Sequence, residues 1–243
     1  MEFKLPTETV ELPSKGLLYP EGHPLASGTV EMKYMTAKEE DILTNQNYIA
    51  NGTVIDKLLK SLIVTEFDYN DLLVGDKNAI MIAARILAYG KDYDAQLDGS
   101  KFTVDLSQIE PKPLSEVIVK GKTEFEFDLP HSGNKLTFKL LTHADEMKID
   151  REIAGLKKID KQSSAEITTR LKYMITSVNG SRTTADIRNF IDNYLLAKDA
   201  RAFREYYSSI APDIDLMVTY ETANGTEEEA VLPITVNFFW PDA

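Results

Sequence analysis

Catalysis needs polar side chains that converge, so the residues to weigh first are those whose spacing brings them together. Two aspartate pairs qualify, Asp92/Asp94 and Asp213/Asp215. Two residues apart, each pair falls on one face of a strand, where carboxylates could hold a cation or divide general-acid and general-base work. An EF-hand loop would add a third ligand, a glycine and a distal glutamate, which neither stretch supplies. The preferred reading is a solvated strand start whose charges discourage edge pairing. His23, His131 and His143 lie in or beside predicted turns and share no metal-ligand spacing, so they read as solvated polar residues. Gly90-Lys91 and Gly121-Lys122 lack the upstream glycine and following hydroxyl of a phosphate-cradling loop, and there is no Gly-x-Ser-x-Gly elbow. With no Cys in the chain, thiol nucleophiles, zinc ribbons, iron–sulfur sites and disulfide scaffolds are out. No catalytic, cofactor-binding or metal residue is assigned, and no cofactor is expected.

Charge narrows the partners. The 243 residues carry 27 Lys+Arg against 39 Asp+Glu, a formal net charge of −12. That disfavours a general nucleic-acid binder, which needs a cationic face for phosphate. The excess is uneven: residues 151–208 hold 11 Lys+Arg and 7 Asp+Glu, so this stretch is +4 and the remainder −16. Such a face could dock an acidic partner or the acidic half of another copy, although outward Lys and Arg on amphipathic helices account for it equally. At 43% hydrophobic and 27% charged residues, the composition is that of a soluble globular protein. Met1–Pro6 shows no apolar run of a secretory signal. The run Ala79–Ala84 ends at Arg85, far short of the roughly 20 residues of a membrane span. The Asn-Gly-Thr/Ser triplets at Asn51, Asn179 and Asn224 therefore read as tight turns.

These residues are positioned by elements that recur. Val30, Met32 and Tyr34 alternate as a strand, and Thr36 with Glu39 forms a capping box that opens a helix. A second helix follows Thr53, a third starts around Asp76 and stops at Gly90, and a hairpin follows, with strands Tyr93–Leu97 and Lys101–Leu106. Leu136, Phe138 and Leu140 then alternate again, and Thr142 with Asp145 stands where Thr36 and Glu39 stood, at an offset of 106. Leu195-Leu196-Ala197-Lys198-Asp199 resembles Leu72-Leu73-Val74-Gly75-Asp76. The second half closes on a hairpin that turns at Asn224-Gly225 and a long strand running through Phe238 to Trp240. The fold class expected is α+β, a tandem pseudo-repeat whose halves each contain a strand, about three helices and a β-hairpin. The expected units are residues 1–110 with an N-terminal arm and residues 111–243. The stiff linker Glu110-Pro111-Lys112-Pro113 favours a packed pair.

Two apolar elements stand out as candidate partner-binding residues. Leu17, Leu18 and Tyr19 sit in a Pro/Gly-rich loop. Phe238, Phe239 and Trp240 alternate near the end of the chain, so Phe239 is expected to face away from the other two; one large aromatic could then point outward, although core packing on both sides is the commoner explanation.

Leu12-Pro13-Ser14-Lys15-Gly16 with Tyr19-Pro20, Met35 to Leu43, the helix entry Leu73-Val74-Gly75-Asp76 and Phe239-Trp240-Pro241 together resemble the baseplate hub proteins of T-even-type contractile-tailed bacteriophages. The resemblance implies a non-enzymatic hub subunit or hub assembly chaperone. Its partners would be other hub and tail proteins, the tape-measure protein among them, and a homo-oligomer is compatible. It implies neither direct nucleic-acid binding nor a membrane anchor. The expected location is the host cytoplasm during assembly, or the virion tail baseplate. Some similar phage proteins carry paired Cys in their hairpins; here Tyr93–Leu106 and Tyr220–Ala230 have none, so a metal-stabilised hairpin is not carried over. The alternatives are a metal-dependent enzyme built on the aspartate pairs and an acidic mimic of nucleic acid.

Overall fold

The computed structural model describes residues 5–97, 99–159, 165–222 and 225–239. It is an α+β fold in which, among the described residues, eight α-helices pack with small antiparallel sheets. Strand β1 (Thr7–Glu11) pairs with β2 (Thr29–Lys33), and the side chains of Val30 and Met32 point inward on alternate residues. Helices α1 (Ala37–Leu43), α2 (Gln46–Ala50), α3 (Val54–Leu62) and α4 (Val74–Tyr89) follow, then the hairpin β3 (Asp92–Leu97) with β4 (Ser100–Asp105). The α3 face made by Val54, Leu58, Leu59 and Leu62 is buried, at the 3.6-residue spacing that a one-sided helix requires.

The second half opens with β5 (Phe125–Asp128) and β6 (Lys135–Phe138), joined by β7 (Ile175–Val178) into a three-stranded sheet. Helices α5 (His143–Ile159) and α6 (Glu166–Met174) lie between β6 and β7. After them come α7 (Thr184–Asn193), α8 (Ala197–Ile210) and the hairpin β8 (Met217–Glu221) with β9 (Glu227–Val231). Where β6 pairs Phe138 with Ile175, the first half has a single bridge between Met32 and Ile63.

Two hydrophobic cores result, and they do not divide at residue 110. The first is built on Met32, Leu58, Ile80 and their neighbours, but it also takes Ile214, Leu232, Phe238 and Phe239 from the end of the chain. The second gathers Phe125, Phe138, Ile149, Phe203 and others, and takes Leu18 from the N-terminal loop. The ring of Phe102 on β4 stacks on Tyr220 of β8 at 4.8 Å between centroids, so the two hairpins meet over the first core.

The last element departs from the expected strand. Val236–Phe239 is a 3₁₀ turn, and both Phe238 and Phe239 are fully buried with their rings in edge contact. A turn of three residues sets neighbouring side chains about a third of a circle apart, so both rings can reach one core where a strand would send them to opposite faces. The buried Arg85 fixes this turn, donating from Nε to the Phe238 carbonyl at 3.1 Å while its guanidinium lies over the Tyr89 and Tyr93 rings. Trp240 and Asn224 lie outside the described residues. Gly225 adopts φ +77°, as a turn there requires.

The chain returns from the second half to the first past the start of α4. Lys112 N–H donates to Asp213 O and Asp215 N–H to Glu110 O, while Asn78 Nδ2 holds the Asp213 carboxylate at 3.0 Å. Gly75 faces this crossing so closely that a Cβ there would stand 1.8 Å from the Pro212 carbonyl oxygen. Replacing it, Gly75→Ala, forces α4 and the crossing strand apart. The expected loss is about 1–3 kcal/mol, read as a lowered midpoint in urea unfolding.

Candidate functional site

Four buried carboxylates organise the polar interior, one near the start of each of four helices. Glu39 in α1 accepts from the Thr36 N–H at 3.0 Å and hydroxyl at 2.6 Å, from Lys33 Nζ of β2 at 2.9 Å and from Ser61 Oγ of α3 at 2.8 Å. Burial alone would raise its pKa, but these donors hold it down at about 2. In α5, Asp145 accepts from the Thr142 N–H and hydroxyl, both at 3.2 Å, and from Lys139, the residue after β6, at 2.6 Å. The capping residues Thr36, Glu39, Thr142 and Asp145 thus tie each helix start to the strand before it.

Asp76 and Asp199 do the same for the long helices, reaching back to loops. Asp76 is fully buried and accepts from Ser14 N–H at 2.9 Å, Ser14 Oγ at 2.7 Å and Tyr19 Oη at 2.7 Å. Burial, the largest influence, raises its pKa against the pull of these donors. Tyr19 Oη in turn accepts the Leu73 N–H at 3.1 Å. Asp199, also fully buried, accepts from the His131 N–H at 2.9 Å and the Ser132 N–H at 3.1 Å. Burial opposes its ionisation, but these donors leave its pKa lowered. The loop that presents Ser14 needs Gly16 at φ +74°, where a Cβ would approach the Ala26 carbonyl to 2.6 Å.

The halves meet at a short backbone ladder. Leu73 bridges Thr142, Val74 N–H donates to Leu141 O at 3.2 Å, and His143 N–H donates to Leu72 O at 2.7 Å. Beneath it lies a mixed cluster. Asp56 accepts from Lys77 Nζ at 2.6 Å and from Tyr69 Oη at 3.2 Å, and His143 Nε2 stands 3.6 Å from Asp56 Oδ2. His143 is buried edge-on against the Tyr69 ring at 4.6 Å, contrary to the solvated histidine expected beside a turn, because Tyr69, Asp56 and Lys77 of the first half cover the start of α5. His23 stacks on Tyr19 and is half-buried, whereas His131 is exposed. Burial depresses the His143 pKa despite the Asp56 charge, so the imidazole is neutral near pH 7.

A carboxylate beside an imidazole is the orienting half of a nucleophilic triad. The cleft alongside carries Asp56, Lys77, Asn78, His143, Glu146 and Arg170, without a hydroxyl or thiol among its described lining residues. Asp92 and Asp94 are exposed, with Asp94 accepting from Thr103, while Asp213 binds Asn78 and Asp215 is exposed. No group of three or more His, Asp or Glu is placed to hold a metal ion among the described residues. No described helix is long and apolar enough to cross a membrane.

The six apolar candidates are mostly spent inside the molecule. Leu18 sits in the second core, Tyr19, Phe238 and Phe239 in the first, and Leu17 is half-buried against the second. Buried side chains anchor a partner only if the fold opens. The exposed apolar residues lie elsewhere and include Tyr194 and Leu196 before α8 and the cross-strand pair Met217 and Val231 on β8 and β9. Sequence reasoning passed over them, since one exposed Leu or Tyr looks the same in a pattern as a buried one. Part of the basic stretch is also neutralised internally, by the two-pronged pairs Arg170–Glu146, Arg188–Glu152 and Arg182–Glu124.

A site built from caps, ladders and paired charges is structural in kind, and comparison with known proteins agrees. A family model described as T4 bacteriophage base plate protein matches residues 6–240. The chain belongs to that family. Its members are baseplate structural proteins of the phage tail, and the match spans both cores and the junction. No curated protein and no solved structure matches the chain.

Two outcomes test the site. Tyr19→Phe removes one hydroxyl that serves both Asp76 and the Leu73 N–H, and should cost about 2 kcal/mol of stability in denaturant unfolding. The depressed His143 pKa stabilises the fold fully above its ordinary value of 6.5, and that contribution is lost as pH falls below it, because the unfolded chain then binds the proton more readily. Thermal midpoints at pH 7.5 and 5.5 should therefore fall further for the wild type than for His143→Gln.

Proposed function

We propose that this baseplate protein is a non-enzymatic hub component, either a hub subunit or a chaperone of hub assembly, that acts by binding other tail proteins. The observation that carries the reading is the family match over nearly the whole chain. The interior supports it, since the strongest buried carboxylates and the one buried imidazole all have partners that hold helices, loops and the two halves together. Partner contacts are proposed on the exposed Met217/Val231 pair, with Leu17 at the edge of the second core as a further contact. Hub and tail proteins, the tape-measure protein among them, are the proposed partners.

We propose further that residues 1–110 and 111–243 arose by tandem duplication. In both halves a Lys at the end of a strand or just after it and a capping Thr share one carboxylate: Lys33 and Thr36 on Glu39, Lys139 and Thr142 on Asp145. Both long helices have a Leu N-cap of nearly the same backbone geometry, φ −65° and ψ 146° at Leu73 against φ −63° and ψ 142° at Leu196. In both, the third helical residue is a buried Asp bound to the N–H that follows a Leu-Pro pair.

Quantitative mass spectrometry separates the two forms of the hub role. A hub subunit is present in purified virions at a fixed ratio to other baseplate proteins, whereas a chaperone is abundant in infected cells and missing from particles. Presence in neither sample with any tail protein, by pull-down from infected cells, would remove both.

A further inference from the structure

The ladder that joins the two halves has two unused counterparts. One side is the turn before α4, Leu72-Leu73-Val74; the other is Leu141-Thr142-His143, the entry to α5, and each side donates one N–H and accepts one. By the correspondence of caps and carboxylates, the second half has its own turn, Leu195-Leu196-Ala197, and the first half its own helix entry, Met35-Thr36-Ala37.

Among the described residues neither counterpart forms a ladder with another segment, although Met35 and Leu195 each pack on the core of their own half and the Leu195 N–H donates to the Phe190 carbonyl. Leu73 packs against both cores, whereas Leu196 is 49% exposed and its neighbour Tyr194 is 64% exposed. Among the described residues, the Ala37 and Ala197 N–H groups and the Met35 and Leu195 carbonyls make no hydrogen bond. These are the four groups that would repeat the bonds Val74 N–H to Leu141 O and His143 N–H to Leu72 O.

We propose that the Tyr194–Ala197 turn of one copy docks on the Met35–Ala37 segment of a second copy. Leu196 then bridges the second copy's Thr36, and the junction made once inside each chain repeats between chains. The inference rests on the duplication proposed above. Charge favours this occupant: Lys198 and Arg204 follow the Leu195–Ala197 turn, with Arg201 held by Glu205, while Glu40 and Asp41 follow Lys38 after the Met35–Ala37 segment. Residues 1–110 as a whole hold 10 Lys+Arg against 18 Asp+Glu, so the end that receives is acidic and the end that is inserted is locally basic. The contact is head to tail, with different surfaces on the two copies, and so builds rings or open filaments instead of closed two-fold dimers.

The chain has no Cys, so single thiols can be placed at will. Opposed residues in an antiparallel bridge stand close enough to form a disulfide. Mixing Thr36→Cys protein with Leu196→Cys protein under mild oxidation should give a covalent dimer, at least about tenfold more than either variant alone. A control chain carrying both Leu73→Cys and Thr142→Cys should close an internal disulfide, reporting the junction without any second copy. In sedimentation velocity, the wild type should associate as concentration rises, and Leu196→Asp should weaken that association about tenfold or more while its circular dichroism melt stays within a few degrees of wild type. If the internal control closes but the mixture yields no dimer above the single variants, head-to-tail docking is overturned and the duplication stands. If dimers form equally when Leu196→Cys is mixed with a distant Glu205→Cys, the docking is also overturned.

Discussion

A carboxylate removed from water must find donors or lose its charge, and the fold is arranged around meeting that demand at Asp76. Its donors come from the loop between the first two strands, so satisfying it brings that loop down onto the start of the long central helix. Tyr19, having donated to Asp76, accepts the Leu73 N–H and so sets the backbone that forms the ladder with Leu141–His143. One charge thus fixes a loop, a helix start and the attachment of the second half. Asp199 performs the first two of these tasks in its own half, with no tyrosine and no ladder.

Much of this order is written in local signals. The capping pairs Thr36/Glu39 and Thr142/Asp145, the Asn179-Gly180 turn with both residues at positive φ and the amphipathic run from Val54 are each dictated by neighbours within a few residues. What escaped was decided by distant contacts. Phe239 faces away from Phe238 in an alternating pattern, and the turn that brings both rings inside is held by Arg85, 153 positions before the Phe238 carbonyl it binds. His143 sits at a helix start, where solvent is the usual neighbour, and is covered by Tyr69 and Asp56 from the other half. The identity of the buried carboxylates was legible as caps, but their burial was not, because it depends on which loop folds over them.

The placement of apolar residues follows from the same economy. Residues that looked adhesive in the sequence, such as Tyr19 and the C-terminal phenylalanines, close the first core, while those left on the surface are scattered over turns, hairpin edges and the outer faces of α5 and α6. A baseplate component must hold its shape under load and still present specific contacts. Division of labour between an interior locked by polar nodes and a few exposed apolar turns suits both requirements.

The exchange of segments between the two cores has a consequence for how the chain is made. Leu18, near the start, belongs to the core of the later half, and Leu232, Phe238 and Phe239 belong to the core of the earlier one. During synthesis the first core is therefore left open at one side until residues 232–239 have emerged. The half made first cannot finish first, and the nascent chain must carry an incomplete apolar surface until that segment is made.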